Sequence, residues 1–293
     1  MQTYPINELE RLTGVKAHTI RIWEKRYNLI TPDRTDTNRR YYNDDQVRKL
    51  LNVTTLMAYG HKISKIAAYT EDEMNNHIQQ QMTIESQDNI GSGFINDLLK
   101  TMLEFDEAGF EKIFSAVVTR FGLFEGMLQV VYPFLNKVGV LWSIDKTAPV
   151  QEHFASCIIR RKLMAAIDGL LPASVQGQKF LLFLPEGEWH EIGLLFSSYV
   201  IRSKGYDALY LGQNVPTENI VKISGLLRPD YILTFYVAAR PSAEIDSQLK
   251  SFAKSCPNAK ILIAGNKELL LSSKAKFKTV TYLTSVHDLI SYL

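Results

Sequence analysis

Cysteine is nearly absent: the 293 residues hold two, Cys157 and Cys256, in different parts of the chain and without metal-type spacing. Both read as buried thiols rather than as a disulfide or a thiolate metal site. Long apolar runs are missing too, and Met1-Gln2-Thr3-Tyr4-Pro5 has no signal-peptide pattern, so the chain is expected in the cytoplasm with no membrane partner. A nucleophile constellation is also lacking. His18, His61, His77 and His287 are scattered, and the chain reads as something other than an enzyme. Nor is one sign of charge in large excess, at a net +2, but the distribution is uneven. Lys plus Arg against Asp plus Glu is 12 to 7 over residues 1–70, 8 to 14 over 71–178 and 13 to 10 over 179–293. Only the first segment is basic enough to suit a polyanion.

That segment holds two short helical patterns. Ile6, Leu9 and Leu12 form the first, Gly14 breaks it, and Thr19, Ile20, Ile22, Trp23 and Tyr27 form the second. Two helices joined by a Gly-containing turn predict a helix-turn-helix. Lys16 and His18 stand at the mouth of the second helix, with Arg21, Lys25 and Arg26 on its polar side, as donors for phosphates and base edges. Beyond Pro32, Asp33 to Asn38 is a polar turn and Arg39-Arg40-Tyr41-Tyr42 reads as the strand of a wing. Thr19-Ile-Arg21-Ile-Trp-Glu24-Lys25-Arg26-Tyr27, Pro32-x-Arg34, Arg39-Arg40-Tyr41-Tyr42 and the following Asp44–Leu50 helix are similar, in this order, to the N-terminal domain of the MerR family. The resemblance implies contact with double-stranded promoter DNA by Lys16, His18, Thr19, Arg21, Arg26, Arg34, Arg39, Arg40 and Tyr42. Residues 1–70 are read as this winged helix-turn-helix. Residues 71–93, polar and ending in Gly91-Ser92-Gly93, are read as a linker.

Residues 94–176 carry few breakers and strong helical spacing, which predicts a four-helix bundle with helices near 94–105, 107–120, 123–141 and 148–171. Trp142 closes the third helix, Ser143 to Lys146 turns the chain, and Thr147 caps the fourth helix, which has Pro149 in its first turn and Glu152-His153 near its start. From residue 177 to 293 apolar runs alternate with helical stretches. Strands are predicted at 180–184, 208–212, 231–236, 260–264 and 278–283, and helices near 190–204, 217–227, 242–254, 267–273 and 285–292. This alternation predicts a flavodoxin-like, doubly wound parallel sheet, so the whole is multidomain, α and α/β.

The chain's chemistry is expected to centre on Glu188-Trp189-His190-Glu191-Ile192-Gly193, where an apolar strand passes into a helix. A histidine there stands at the carboxyl edge of the sheet, where open α/β folds place ligands. Glu188 is placed to hold one ring nitrogen and orient the other as a metal ligand. By itself the motif also fits a surface histidine at a helix start. Together with Trp142, nine intervening residues and Glu152-His153, it resembles the cobalamin-binding module of the light- and cobalamin-responsive MerR-type regulators and of methionine synthase.

The resemblance spans nearly the whole chain. It implies that cobalamin, in its adenosyl form for a light response, sits between bundle and α/β domain. His190 would be the lower cobalt ligand, Glu188 its orienter, Gly193, Thr234 and Ala264-Gly265 the border of the nucleotide tail, and Trp142, Glu152 and His153 the upper cap. It further implies a repressor acting as a homo-oligomer, dimer or tetramer. Three departures stand out. Ser143 replaces a histidine after the tryptophan, which removes a bis-histidine photoproduct. Thr234-Phe235-Tyr236 replaces Ser-x-Leu, and Ala264-Gly265 replaces Gly-Gly, where overfilling a packed slot costs about 1–3 kcal/mol. The alternative is a MerR-like regulator whose degenerate sensor has lost cobalamin and answers another ligand or a protein partner.

Overall fold

The structure, a computed structural model, describes residues 4–13, 15–35, 38–87, 91–143, 149–173, 177–238, 240–266, 270 and 279–293. It divides into two compact units, Met1–Ile158 and Ile159–Leu293.

The first unit begins with β1 (Tyr4–Pro5), α1 (Ile6–Thr13) and α2 (Ala17–Tyr27), followed by β2 (Asp33–Arg34) and β3 (Arg40–Tyr42). The strands pair antiparallel in the order β1-β3-β2, which makes β2 and β3 the wing. Helix α2 ends where Asn28 takes a left-handed conformation, φ 50°, and returns its amide to the Glu24 carbonyl. Helix α3 (Asp44–Ala58) starts in a reciprocal capping box: Gln46 N donates to Asn43 Oδ1 at 3.0 Å and Asn43 N to Gln46 Oε1 at 2.9 Å. The short α4 (Ile63–Ile66) follows. Leu9, Ile20, Trp23, Tyr42, Val47, Leu50, Val53, Leu56 and Ile66 close one core over these elements.

The stretch expected to be a linker is largely helix. Helix α5 covers Glu71–Gln87 and adds Met74 and Ile78 to the same core. Its polarity conceals a single apolar stripe four residues apart, and acidic residues at 71–73 suit the positive end of the helix dipole. Thr70 and Glu73 cap each other at its start, Thr70 N donating to Glu73 Oε2 at 2.8 Å and Glu73 N to Thr70 Oγ1 at 3.2 Å.

The bundle consists of α6 (Ser92–Leu103), α7 (Glu107–Gly126), a π-helical turn (Met127–Val131) running into α8 (Tyr132–Ser143), and α9 (Pro149–Asp168). Asp106 caps α7 by accepting from Gly109 N at 2.9 Å. The break expected near residue 121 falls at Gly122, whose φ of 73° and ψ of 164° interrupt the helical rod. Past it, a side chain at Gly126 would lie 2.9 Å from Val117 Cγ1, so glycine there lets the chain fold back closely. Phe110 and Phe134, both fully buried, meet edge to face at 5.7 Å. Among the described residues, the stretch Glu107–Leu141 has the length and composition of a membrane span, with a third of its window buried in this packing. Val140 and Leu141 pack against the core of the N-terminal segment. The expected turn and cap at 144–147 lie outside the described residues.

In the second unit, β4 (Lys179–Phe183), α10 (Ile192–Ser203), β5 (Asp207–Tyr210), α11 (Thr217–Leu227), β6 (Tyr231–Tyr236), α12 (Ser242–Ser255), β7 (Lys260–Gly265), β8 (Val280–Tyr282) and α13 (Val286–Ile290) form a parallel sheet of order β5-β4-β6-β7-β8, the flavodoxin-like order, among the described residues. Helices α10 and α13 cover the face of Leu182, Leu233, Phe235 and Ala264, whereas α11 and α12 cover that of Leu181, Ile232, Tyr236 and Ile263. The strand order reverses between β4 and β6, so the loop after β4 opens at the switch point where such folds bind ligands. The helix expected at 267–273 falls almost wholly outside the described residues.

Candidate DNA-reading surface and imidazole site

On the head, α2 presents Arg21, Lys25 and Arg26 to solvent, and the wing presents Arg34 and Arg39. Lys16 pairs with Glu10 at 3.0 Å and remains exposed. His18 and Thr19 touch side chain to side chain at 3.3 Å on an exposed surface. Arg34 Nη1 donates to Asn38 Oδ1 at 2.5 Å, which holds the wing turn. Glu24, on α2, ties this surface together: Arg40 Nε lies 3.3 Å from its Oε2, and Tyr42 donates to its Oε1 at 2.5 Å. Burial and the neighbouring Glu24 carboxylate push the Tyr42 hydroxyl far above its ordinary pKa. Tyr42 is fully buried and therefore fastens the wing to the recognition helix. The expectation that it touches DNA is corrected: the alternation of β3 turns it inward.

On the second unit, strand β4 ends at Phe183, a bridge pairs Pro185 with Val215, and Gly187 takes φ 78° to turn the chain. This turn puts Glu188 under the sheet edge with none of its surface exposed. Its Oε1 accepts from the amides of Trp189 at 3.1 Å and His190 at 3.2 Å, and its Oε2 from those of Val237 and Ala238 at 2.8 Å each. Arg240, also buried, approaches Oε2 to 3.7 Å. Burial by itself raises a carboxyl pKa, but here the hydrogen bond from His190 and the amides of Ala238 and Val237 outweigh it and hold Glu188 down at about 2. An ionised carboxylate only accepts, so the proton in its 2.5 Å contact with His190 resides on Nδ1. The imidazole, 61% exposed, therefore has the tautomer whose Nε2 can bind a metal. The neighbouring Glu191, also buried, receives the Tyr210 hydroxyl at 2.6 Å and faces Arg160 Nε at 2.5 Å, which anchors the start of α10.

Residues 4–73 match the model of the MerR HTH family regulatory protein, and residues 94–166 match that of the B12 binding domain. The chain joins a MerR-type domain to a B12-binding domain. It is homologous to the HTH-type transcriptional repressor CarH of Myxococcus xanthus, at 27% identity over 259 residues, which cover 87% of this chain and 86% of that protein. The repressor CarA of the same organism is 26% identical over 267 residues, 90% of this chain and 86% of its own length. Among solved structures, the monomethylamine corrinoid protein of Methanosarcina barkeri has the same fold at a TM-score of 0.52 and 12% identity, covering 69% of this chain and 97% of that one.

In the MerR-type domain the structure therefore brings Lys16, His18, Thr19, Arg21, Arg26, Arg34 and Arg39 to the surface, with Arg40 half-buried against Glu24. In the B12-binding domain Glu152 and His153 are neighbours on α9, 3.3 Å apart, and of Trp142 only the helical backbone is described. In the α/β unit Glu188 and His190 meet as expected, but Thr234 does not join them. Thr234 faces α11 and α12, on the side of the sheet away from Gly193, because its neighbours two residues away, Ile232 and Tyr236, point there. Its hydroxyl is buried without a hydrogen-bond partner among the described residues. Gly265, at φ 123°, needs its missing side chain for the chain's own sake, since a Cβ would lie 2.2 Å from the Tyr236 carbonyl oxygen. Ala264 remains on the face of Gly193, paired in register with Phe235.

Sequence reasoning missed Glu24, the amides of Val237 and Ala238, Arg240 and Phe235. Glu24 was legible only as part of a family pattern, and nothing in the sequence ties residue 188 to residues 237–240.

For a corrinoid the fit is divided. Glu188 and His190 would suit a cobalt, since the imidazole nitrogen that could ligate it belongs to a ring already fixed by a second partner. The recess at Gly193 is instead filled by the chain itself: a Cβ there would meet Phe235 Cε1 at 2.9 Å.

Proposed function

We propose that the chain is a DNA-binding transcriptional repressor whose oligomerisation and promoter binding are controlled by a bound corrinoid. The observation that carries this reading is the buried Glu188 carboxylate, which fixes the proton of an exposed imidazole on Nδ1 in a chain that also presents a basic helix and wing. When bound, cobalamin would supply a cobalt that an imidazole nitrogen can ligate. His190 would offer Nε2 to the cobalt, Glu188 would orient the ring by accepting from Nδ1, and Trp142, Glu152 and His153 of the B12-binding domain would help to hold the corrinoid. The chain binds and orients the cofactor in the cytoplasm without turning over a substrate, and the adenosyl form makes the complex photosensitive. It acts as a homo-oligomer, because a winged helix-turn-helix reads two half-sites through a symmetric assembly.

The test uses the full chain and DNA fragments that it selects from a random pool. Mobility shifts are run with and without adenosylcobalamin, in darkness and after illumination, for wild type and His190→Ala. Cobalamin-dependent retardation that His190→Ala abolishes is the expected result. Retardation indifferent to both would remove the cofactor from the function and leave the DNA reader. A second reading, a sensor that answers a protein partner instead, draws on the filled recess at Gly193.

A further inference from the structure

The recess beside His190 is defined by three residues on one face of the sheet. Gly193 lies one turn beyond His190 near the start of α10, and Phe235 and Ala264 are register partners on β6 and β7 beneath that helix. A glycine on a helix that covers a sheet leaves space for one ring. Phe235 takes that space: its Cε1, Cδ1 and Cζ would lie 2.9, 3.3 and 3.5 Å from a Cβ at position 193. Tyr236, although larger, is turned to the opposite face and buried against Phe183 and Phe252, so it does not enter the recess.

A corrinoid whose cobalt was ligated by His190 would lie against this edge of the sheet. A complete cobalamin also carries a nucleotide arm ending in a base, and if His190 took that base's place the arm would have to enter the protein or lie outside it. With Phe235 and the Ala264 methyl in place the inward course is closed. The donor pair thus fits a corrin ring while the recess does not fit its tail.

We infer that Phe235 is a specificity-determining residue that closes the recess at Gly193 to the nucleotide arm, so that the α/β unit selects corrinoids lacking that arm over complete cobalamins. This deepens the corrinoid reading above and rests on it.

The experiment is an absorption titration of the full chain with diaquocobinamide, which has no nucleotide, and with aquocobalamin. Imidazole ligation is read from the corrin bands and binding is checked by equilibrium dialysis. The wild-type chain is expected to hold cobinamide at least roughly tenfold more tightly, the low end of what overfilling a packed slot costs. Phe235→Ser is expected to strengthen aquocobalamin binding by roughly tenfold while moving cobinamide by no more than about twofold. Wild-type preference for aquocobalamin, or a ratio that Phe235→Ser leaves unchanged, overturns the inference and keeps the corrinoid reading. No binding of either corrinoid by wild type overturns both. Because aquocobalamin must also give up its own base, the change in the ratio on substitution carries the decision, and Phe235→Leu, a smaller apolar change, is expected to shift it in the same direction if Phe235→Ser folds poorly.

Discussion

Removing the Glu188 carboxylate is expected to loosen the sheet edge as well as the imidazole. Glu188 accepts from the amides of Val237 and Ala238 across 49 and 50 residues of chain, so it pins the loop after β6 to the loop after β4. In Glu188→Ala those two amides lose a charged acceptor, and among the described residues Arg240 Nη1 keeps the Glu186 carbonyl at 3.1 Å and Glu244 at 3.2 Å as polar partners. Hydrogen bonds to a charged group contribute about 1.5–3 kcal/mol each, and breaking a buried pair by deleting one partner costs about 3–5 kcal/mol. Part of that is recovered if water reaches the amides beside the exposed His190, which puts the net near 3 kcal/mol as an order of magnitude. At about 1.4 kcal/mol per factor of ten, exchange at Val237 and Ala238 should quicken by roughly a hundredfold. Hydrogen exchange read by mass spectrometry over 231–241, with β7 peptides as the internal reference, makes the measurement without assuming two-state unfolding of a multi-unit chain. Exchange within about threefold of wild type would show that the carboxylate carries no such cross-link, and the physical account of the site would fail.

Four further outcomes follow from the same contacts. The Glu188 pKa is depressed, so its stabilisation is complete above the ordinary carboxyl value of 4.5 and is lost as pH falls from there through about 2. The difference in exchange between wild type and Glu188→Gln should accordingly shrink across that window. Gly265→Ala should abolish the native α/β sheet, as judged by near-UV circular dichroism and proteolysis, because a Cβ cannot sit 2.2 Å from a backbone oxygen at φ 123°. Tyr42→Phe should cost about 1–2 kcal/mol in denaturant unfolding of the head while leaving the salt slope of DNA binding unchanged, whereas Arg39→Ala should lower that slope by about one. Gly193→Ala should displace Phe235 and destabilise the α/β unit by about 1–3 kcal/mol, seen as a lower melting temperature.

The sequence by itself determined the element types of the bundle and of the sheet. Local signals suffice for those: the period-2 and continuous apolar runs of β4 to β7, the 3.6-residue spacing of the bundle, and Gly122 at the helix break. It also determined the pairing of Glu188 with His190, because two residues of separation across a turn leave a carboxylate and an imidazole within reach of each other. Polarity over 71–87 masked a helix whose stripe, Met74 and Ile78, has meaning only once a core exists for it to join. Which face of a strand a residue occupies was decided by pairing register. A shift of one position moved the hydroxyl of Thr234 to the far side and brought Phe235 under Gly193. Tyr42 went inward and Arg39 outward by the same alternation. What only the tertiary structure decided is therefore which neighbours meet across long stretches of chain: Glu24 with the wing, Glu188 with Val237 and Ala238, and Gly265 with Tyr236. Those contacts depend on hydrogen-bond register and packing between distant segments, which no local pattern encodes.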